Sequence, residues 1–259
     1  MLIFLFYISI YLYSVNIESA YSEISESDNI AKNMVSIPAK KFKMGCDQFG
    51  PMHGSPERIV YLDSFMIDKY EMTNKKYEEI IPEHKLRRSV LSDCDGCPVT
   101  NVSWYSAADF CYLIGKSLPT EAQWERASSN GDGCNFPWGD RFDADANQAQ
   151  GGLKLRDKSK PVGRFPPNLN GVYDMGGNVW EWVSDWMSPG YNFPKTLKNP
   201  GGPLHGIMKV RRGGSYSDHI IAMASGYRDW SYPSSRFFSD IGFRCALNFK
   251  RDKIDGSAG

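Results

Sequence analysis

Two acidic residues flank a glycine pair in the segment VYDMGGNVWEW. Asp174 and Glu181 lie seven residues apart, and Gly176 and Gly177 stand between them. The glycines allow the backbone to turn sharply, so that backbone carbonyls can face the same point as the two carboxylates. Carboxylate and carbonyl oxygens are the hard ligands that Ca²⁺ prefers. The alternative is structural, with Asp174 capping a turn and Glu181 paired with an arginine of the core. The spacing alone favours the structural interpretation.

The cysteines are a second group with possible chemistry, and there are six of them: Cys46, Cys94, Cys97, Cys111, Cys134 and Cys245. An even count behind an export signal favours disulfides, and the alternative is buried free thiols. Cys94-x-x-Cys97 has neither a second CxxC nor a histidine pair at the spacing of a zinc site. The sequence therefore predicts disulfides rather than a metal centre.

The chain begins with the apolar run MLIFLFYISIYLYSV. This run is short for a membrane-spanning helix of about 20 residues, and it resembles the apolar region of a signal peptide. No Lys or Arg precedes Lys32, and Glu18 is an unusual residue at the −3 position of a cleavage site after Ala20. Cleavage after Ser19 is equally compatible. Residues 1–20 are interpreted as a signal peptide or an uncleaved N-terminal anchor, which predicts an exported protein.

Charge and composition exclude several classes of function. Lys+Arg and Asp+Glu are both 30, so the formal net charge is zero. A neutral chain without a basic run lacks the electrostatic surface of a nucleic-acid-binding protein or of a polybasic membrane-binding protein. The four histidines form no HxxxH or HExxH pattern, and GxSxG, Walker A and Rossmann motifs are absent from the sequence.

The elements that must position these residues are short. Polar residues 21–33 are typical of a linker, residues 34–249 show no composition break and form one predicted domain, and residues 250–259 are a tail. Alternating patterns predict strands at 35–38, 42–45 and 58–67.

Three helices are predicted: over 75–81 with Asn74 as cap, over 107–115 with Ser106 as cap, and over 121–127 with a Thr120–Gln123 capping box. No helical period follows Asn130. The pattern indicates an α+β fold with many long loops.

Seven segments in order carry a family resemblance: MVSIPAKKFKMG, DSFMIDKYEMTNKKY, PVTNVSWYSAADFCYLIGKSLPTEAQWERA, PWGD, PVGRFPPNLNGVYDMGGNVWEW, RRGGSY and GFRCA. Together they resemble the formylglycine-generating-enzyme (sulfatase-modifying factor) family over nearly all of residues 34–247. The resemblance implies a C-type-lectin-like core enlarged by long loops. It also implies that the GGS and GFR segments are paired strands near the end of the chain, with an exposed binding region between them.

Structural calcium is a further implication of the resemblance. One ion would be held by the side chains of Asp174 and Glu181 and by backbone oxygens of Gly177 and Val179. Asn147, with the carbonyl of Gln148, matches a second and weaker site. That site is electrostatically poor for a dication, because the loop after it is crowded by Lys154, Arg156 and Lys158.

The resemblance also implies a disulfide between Cys111 and Cys245. The remaining four cysteines allow three pairings, of which Cys46–Cys134 with Cys94–Cys97 is one. The aromatic residues Trp104, Trp124, Trp138, Trp180, Trp182 and Trp186 could stack on a ligand, but they are better interpreted as core residues.

The chain departs from the family at the positions that would carry its chemistry. The family's oxidase converts a substrate cysteine to formylglycine with O₂ and copper, and it needs two closely spaced cysteines just after the GGS segment, a thiolate pair suited to Cu(I). Here the first position falls on Asp218 and the second near Met223, and no cysteine occurs from 213 to 244. His219 and Met223 could ligate a metal, but without a thiolate they do not reproduce a copper site. Copper is therefore not expected.

The function that follows is binding rather than oxidation. Asp218, His219, Arg228 and Trp230 are the predicted ligand groove, although structural ion pairs are an equally good interpretation of the arginine. We expect an exported, periplasmic, envelope-associated or secreted pseudoenzyme, stabilised by calcium and disulfides, that binds a peptide, glycan or protein partner. The alternatives are a formylglycine-generating oxidase and a different enzyme that uses Asp218 and His219.

Overall fold

The computed structural model describes Ala31 and residues 33–129, 131–139, 158–191 and 197–249. All elements below lie in the compact unit Met34–Gly259. The predicted segment 1–20, most of the predicted linker, the Asn147 and Gln148 site and the tail lie outside the described residues.

Two small sheets are formed largely by the first half of the domain. In the first, β4 (Phe65–Asp68) lies between β1 (Met34–Ile37) and β10 (Ala246–Asn248), and both pairings are antiparallel. In the second, β3 (Arg58–Leu62) lies between β2 (Lys40–Met44), which is antiparallel, and β6 (Leu197–Lys198), which is parallel. The prediction of one strand over 58–67 was wrong, because Asp63 bonds to Asn199 instead of continuing a ladder.

The α-helices are short, as the predicted pattern indicated: α1 Gly50–His53, α2 Asn74–Glu78, α3 Trp104–Leu113 and α4 Glu121–Ser128. Short 3-10 helices cover Asp47–Phe49, Pro82–Arg87, Pro189–Tyr191 and Ile220–Met223. None of the described helices combines the length and the hydropathy needed to cross a membrane.

Two predicted helix caps were wrong by one or three residues, and one was confirmed. The side chain of Thr73 caps α2, because Asn74 is buried and donates instead to the carbonyls of Ser92 and Cys94. Ser103 caps α3 by accepting from the Ser106 N–H. The capping box of α4 is present as predicted, with both reciprocal hydrogen bonds.

A four-stranded sheet carries the second half of the domain. Its order is β8 (Arg228–Ser231), β7 (Lys209–Arg212), β5 (Trp180–Trp186) and β9 (Ile241–Gly242). The first two pairings are antiparallel and the last is parallel. The expected direct pairing of the GGS and GFR strands was wrong, because the long central strand β5 lies between β7 and β9. Both ends of the 213–244 segment are thereby fixed to one sheet.

Tryptophans fill the interior between these sheets and helices. Trp124, Trp180 and Trp182 are at most 1% exposed, so their interpretation as core residues is correct. Trp104 and Trp186 are only partly buried and stack on each other with ring centroids 6.4 Å apart. The core therefore extends to the surface beside β5.

All six cysteines are paired, as Cys46–Cys134, Cys94–Cys97 and Cys111–Cys245. The third bond joins α3 to the segment before β10 across 134 residues. The first joins the two segments that flank the candidate site described next.

Candidate functional site

A sharp turn follows β7 and leads to the position that would carry the first family cysteine. Gly213 and Gly214 have φ values of 97° and 70°, a region that favours glycine. A side chain at Gly214 would also approach the backbone of Ala222 to 3.0 Å. The turn places Asp218 over the edge of the four-stranded sheet, beside Trp180.

Asp218 is held by three donors. Its Oδ2 accepts from the Trp180 indole N–H at 2.7 Å, from the Ser215 N–H at 3.1 Å and from the Ser215 hydroxyl. Carboxylates with several such donors are fixed in orientation. The residue predicted at the first cysteine position of the family is therefore a hard, anchored carboxylate.

A second carboxylate, Asp240, shares the Ser215 hydroxyl group with Asp218. Asp240 accepts from Ser215 Oγ at 3.1 Å and from Ser217 Oγ at 3.3 Å. Burial raises the pKa of Asp240 above its usual value. The positive charge of Arg211 lowers this pKa, and the negative charge of Asp218 raises it further. The result is a hydroxyl-bridged pair of carboxylates, which offers no soft ligand for Cu(I).

The other two candidate ligands of this segment point to different environments. Met223 is 0% exposed, whereas His219 is exposed. Among the described residues, one set of at least three His, Cys, Asp or Glu ligand atoms is close enough to share a metal, namely Cys46, Glu57 and Cys134. Those two cysteines are disulfide-bonded. The structure thus places His219 and Met223 in different environments, and neither Asp218 nor His219 belongs to that set.

Arg228 lies in the interior and not in a groove. It is 1% exposed, its Nε lies 2.9 Å from Glu121 Oε1 and its Nη1 donates to the carbonyl of Ser188 at 3.0 Å. The interpretation as a structural ion pair therefore describes this residue, and its assignment to the ligand groove is corrected. The reason is that β8 turns this side chain toward α4, where Glu121 is also buried.

Trp230 is partly exposed and forms part of an aromatic platform with His53 and Tyr227. The His53 ring stacks on Tyr227 at 4.9 Å and on Trp230 at 5.3 Å between ring centroids. His53 Nδ1 also lies 3.0 Å from the carbonyl oxygen of Arg228. Sequence reasoning missed His53 and Tyr227, because a pairing across about 175 residues leaves no local signal.

Arg211 packs on Trp180, which connects the aromatic platform with Asp218. Its guanidinium lies 4.6 Å from the centroid of the Trp180 ring, a cation–π distance, and its Nη2 donates to Asp229 Oδ2 at 2.7 Å. Trp180 in turn donates to Asp218. We call these polar and aromatic groups, the aromatic platform and the exposed rings of Tyr232, Phe237 and Phe238 the 213–244 surface.

A junction of four glycines holds the platform in place. The backbones of Gly45, Gly54, Gly133 and Gly226 are so close that an added Cβ at Gly226 would lie 2.7 Å from Gly133 O. The Gly226 N–H donates to Gly133 O at 2.7 Å, and the Cys46 N–H donates to Gly54 O at 2.9 Å. The Cys46–Cys134 disulfide crosses the same junction. The glycine junction therefore holds the segment that carries His53 against the segment that carries Tyr227.

The predicted calcium loop is buried and already rich in hydrogen bonds. Glu181 accepts from Arg244 with both oxygens, at 2.6 and 2.7 Å, and from the Trp124 indole N–H at 2.8 Å. Asp174 has a φ of 56° and accepts from the Gly163 N–H at 2.6 Å. The ion pair that the structural interpretation proposed for Glu181 is thus present.

Negative charge exceeds positive charge around this loop. Glu71, a residue that sequence reasoning missed, accepts from Asn178 Nδ2 at 2.5 Å and from the Val179 N–H at 3.2 Å. Burial raises the pKa of Glu71 well above its usual value, with further contributions from Asp174 and Glu181. Burial also raises the pKa of Asp174 to about 6. Three carboxylates therefore share the single guanidinium of Arg244.

Comparison with known proteins identifies the family. The profile of the sulfatase-modifying factor enzyme 1-like domain matches residues 20–249. The chain belongs to the formylglycine-generating-enzyme family. It is 31% identical to the formylglycine-generating enzyme of Bos taurus, over 83% of this chain and 74% of that protein. It is 30% identical to the inactive C-alpha-formylglycine-generating enzyme 2 of Mus musculus, over 86% of this chain and 88% of that protein.

Solved structures of the same fold support the α+β architecture. Treponema denticola variable protein 1 superposes with a TM-score of 0.72 at 24% identity, covering 83% of this chain and 94% of that one. PvdO from Pseudomonas aeruginosa superposes with a TM-score of 0.70 at 25% identity, with 83% and 94% covered. The family therefore includes both enzymes and proteins described as inactive, so the site decides the function of this member.

Proposed function

We propose that this chain is an exported family member without oxidase activity that binds a peptide or protein partner on its 213–244 surface. The observation that carries the proposal is the anchored carboxylate of Asp218 at the first cysteine position. A cysteine oxidase of this family needs a thiolate pair for copper, and the described part of the 213–244 segment offers carboxylates, hydroxyls and a buried methionine instead.

The exposed composition of this face suits a partner rather than a small reactive substrate. Phe237 is 91% exposed and Tyr232 is 55% exposed, and both belong to the same chain segment as the partly exposed platform ring of Trp230. Aromatic side chains beside a few fixed charges are typical of the central residues of protein interfaces. The two charged groups at its centre, Asp218 and Arg211, are held by neighbours and so are pre-organised.

Structural calcium at the Asp174 loop is part of the proposal. The buried excess of carboxylate over guanidinium is the observation that supports a cation there, because a dication would offset it. Asp174, Glu181 and the carbonyls of Gly177 and Val179 would hold the ion. Glu181 already accepts three hydrogen bonds, which leaves about one of the roughly four lone-pair positions of a carboxylate.

The first test addresses the chemistry. The full, disulfide-bonded chain is titrated with copper(I), and oxygen consumption is followed with a CxPxR peptide, with the bovine enzyme as the positive control. We expect no tight copper binding and no oxygen uptake above the background. Turnover of the peptide would show instead that the chain is a formylglycine-generating oxidase.

The second test addresses binding. A displayed random-peptide library is selected against the wild type, and the enriched peptides are then titrated against Trp230→Ala. Leu204→Ala is the control, since Leu204 is 88% exposed and lies outside the 213–244 surface. We expect the loss of Trp230 to weaken binding by on the order of 30-fold or more, the scale of a removed interface anchor, with no change in the control. Equal binding by the wild type, Trp230→Ala and Leu204→Ala would refute the proposal that the peptides bind on the 213–244 surface.

The calcium proposal has its own measurement. Calcium is added to the chelated chain while the melting temperature is recorded, and Asp174→Asn is compared with the wild type. An ion that binds only the folded state raises the melting temperature, and the rise grows with the logarithm of the ion concentration above its dissociation constant. An unchanged melting temperature in the wild type would refute calcium at this loop without affecting the binding proposal.

A further inference from the structure

A cavity away from the 213–244 surface has the properties of a second binding site. It has a volume of about 480 Å³ and lies between the end of β3, the start of α4, the segment after β6 and the end of β10. This volume is within the range of small-molecule sites, roughly 300–1,000 Å³. None of its lining residues belongs to the aromatic platform or to the 213–244 segment.

One wall is built from two amide side chains that orient each other. The Gln123 oxygen accepts from the Thr120 N–H at 2.9 Å as part of the capping box, and its nitrogen donates to Asn248 Oδ1 at 2.6 Å. The capping box thus sets the orientation of the Gln123 amide. The Gln123 amide in turn sets the orientation of Asn248 by donating to the Asn248 oxygen. The amide nitrogen of Asn248, with two N–H donors, is the hydrogen-bonding group that this arrangement leaves for a ligand.

Another part of the lining holds a carboxylate in a fixed position. Asn199 accepts from the Asp63 N–H and donates to Asp63 Oδ2, both at 2.8 Å. Lys198 Nζ lies 3.3 Å from Asp63 Oδ1. The reciprocal bonds determine which way the Asn199 amide faces, and the lysine compensates the charge of Asp63. This part of the lining is therefore polar and close to neutral.

An aromatic ring and two hydroxyl groups complete the lining. Phe249 is 51% exposed, so one side of its ring is open to the cavity or to solvent. Ser64 and Thr120 contribute hydroxyl groups. Side-chain amides, a carboxylate and hydroxyls bond to hydroxyl groups in both directions, and an aromatic ring packs against the C–H face of a sugar ring.

The chemistry of the lining points to a neutral, polyhydroxylated ligand. Anions are disfavoured, because the described lining residues include no arginine and the neighbouring Lys198 is already paired with Asp63. Apolar ligands are disfavoured by the convergent amides, which would lose water without gaining partners. We propose that this cavity is a saccharide-binding site that takes one or two neutral sugar residues.

The experiment uses the full chain and a defined set of probes. Saturation-transfer NMR and calorimetric titration are run with glucose, galactose, mannose, N-acetylglucosamine and their common disaccharides. Two cavity variants are compared with the wild type. Asn248→Asp keeps the oxygen that Gln123 needs but removes the amide donors, and Phe249→Ala removes the ring at an exposed position. Leu204→Ala and Trp230→Ala are the controls for an unrelated exposed site and for the aromatic platform.

We expect saturable binding of at least one probe, about tenfold or more weaker in each cavity variant, since one lost hydrogen bond or packing contact is worth roughly that factor. Circular dichroism must show that the variants keep the fold. Binding by no probe, or binding that both cavity variants retain, would overturn the proposal. Loss of binding in Trp230→Ala alone would place the sugar on the platform and would equally overturn it. None of these outcomes depends on the peptide selection or on the copper titration.

Discussion

Replacement of Arg228 by Met tests whether the residue acts in the interior or at the ligand face. The guanidinium is 1% exposed, and its Nε lies 2.9 Å from Glu121 Oε1. Glu121 is itself 1% exposed and lies next to the buried Asp185, whose Oδ2 accepts from the Glu121 N–H at 2.8 Å. Methionine preserves much of the volume, so the main change is the loss of the charge.

The magnitude follows from the carboxylates that are left behind. Arg212 Nη1 lies 3.8 Å from Glu121 but already pairs with Glu125, so it offsets the loss of Arg228 only in part. Removal of one partner of a buried ion pair costs about 3–5 kcal/mol, because the other charge stays buried without compensation. We therefore expect Arg228→Met to lower the free energy of unfolding by about that amount.

Urea denaturation at neutral pH measures this loss, and a second substitution isolates its cause. Glu121→Gln in the Arg228→Met background removes the uncompensated charge, so the double variant should be more stable than the single one. The coupling energy from the four proteins should be of the order of 2 kcal/mol or more. A single-variant loss below about 1 kcal/mol, or additive effects, would refute the ion pair. Unchanged stability with lost peptide binding would return Arg228 to the ligand groove.

Three further predictions concern pH, the disulfides and the glycine junction. Burial raises the pKa of Asp185 to about 6. The folded state then holds the proton of Asp185 more tightly than the unfolded state does, so this residue lowers the free energy of unfolding as pH rises from about 4 to about 6. Asp185→Asn should remove that dependence and raise the free energy of unfolding at pH 7 by up to roughly 3 kcal/mol. Denaturation at a series of pH values measures both effects. Replacing Cys111 and Cys245 by Ala opens a loop of 134 residues and should cost about 5 kcal/mol in the chain-entropy model, whereas an unchanged melting temperature would contradict it. Gly226→Ala brings a Cβ to 2.7 Å from Gly133 O and should lower the free energy of unfolding by about 1–3 kcal/mol. It should also displace Tyr227, which would change the near-ultraviolet circular dichroism of the variant. A native spectrum would contradict the tight junction.

Local signals in the sequence were sufficient for those elements that neighbouring residues determine. The capping box of α4 needs only Thr120 and Gln123, and it is present as predicted. The cap of α2 was assigned to Asn74 because asparagine is as good a cap as threonine. What decided the matter was the burial of Asn74 against the carbonyls of Ser92 and Cys94, and no local pattern encodes that contact.

The candidate site shows the same division more sharply. The absence of cysteine between 213 and 244 is visible in the sequence, and the assignment of the first cysteine position to Asp218 stays a prediction. The burial of Arg228 could not be read from the sequence, because an arginine in a groove and an arginine paired with Glu121 are the same residue type. The aromatic platform was beyond sequence reasoning, since His53 reaches Tyr227 only through the packing of distant glycines.

The proposed function separates the residues needed for a redox reaction from those that shape the surface. Copper chemistry depends on two side chains, and here a fixed carboxylate stands at one of their positions while Met223 is buried near the other. The surface depends instead on the four-stranded sheet, on the glycine junction and on the Cys46–Cys134 bond, which do not involve those two positions. Under the proposed function, the missing thiolates would remove the basis for oxidation and would leave Trp230, Tyr227 and Arg211 in place. This independence is the physical reason that we propose binding rather than oxidation.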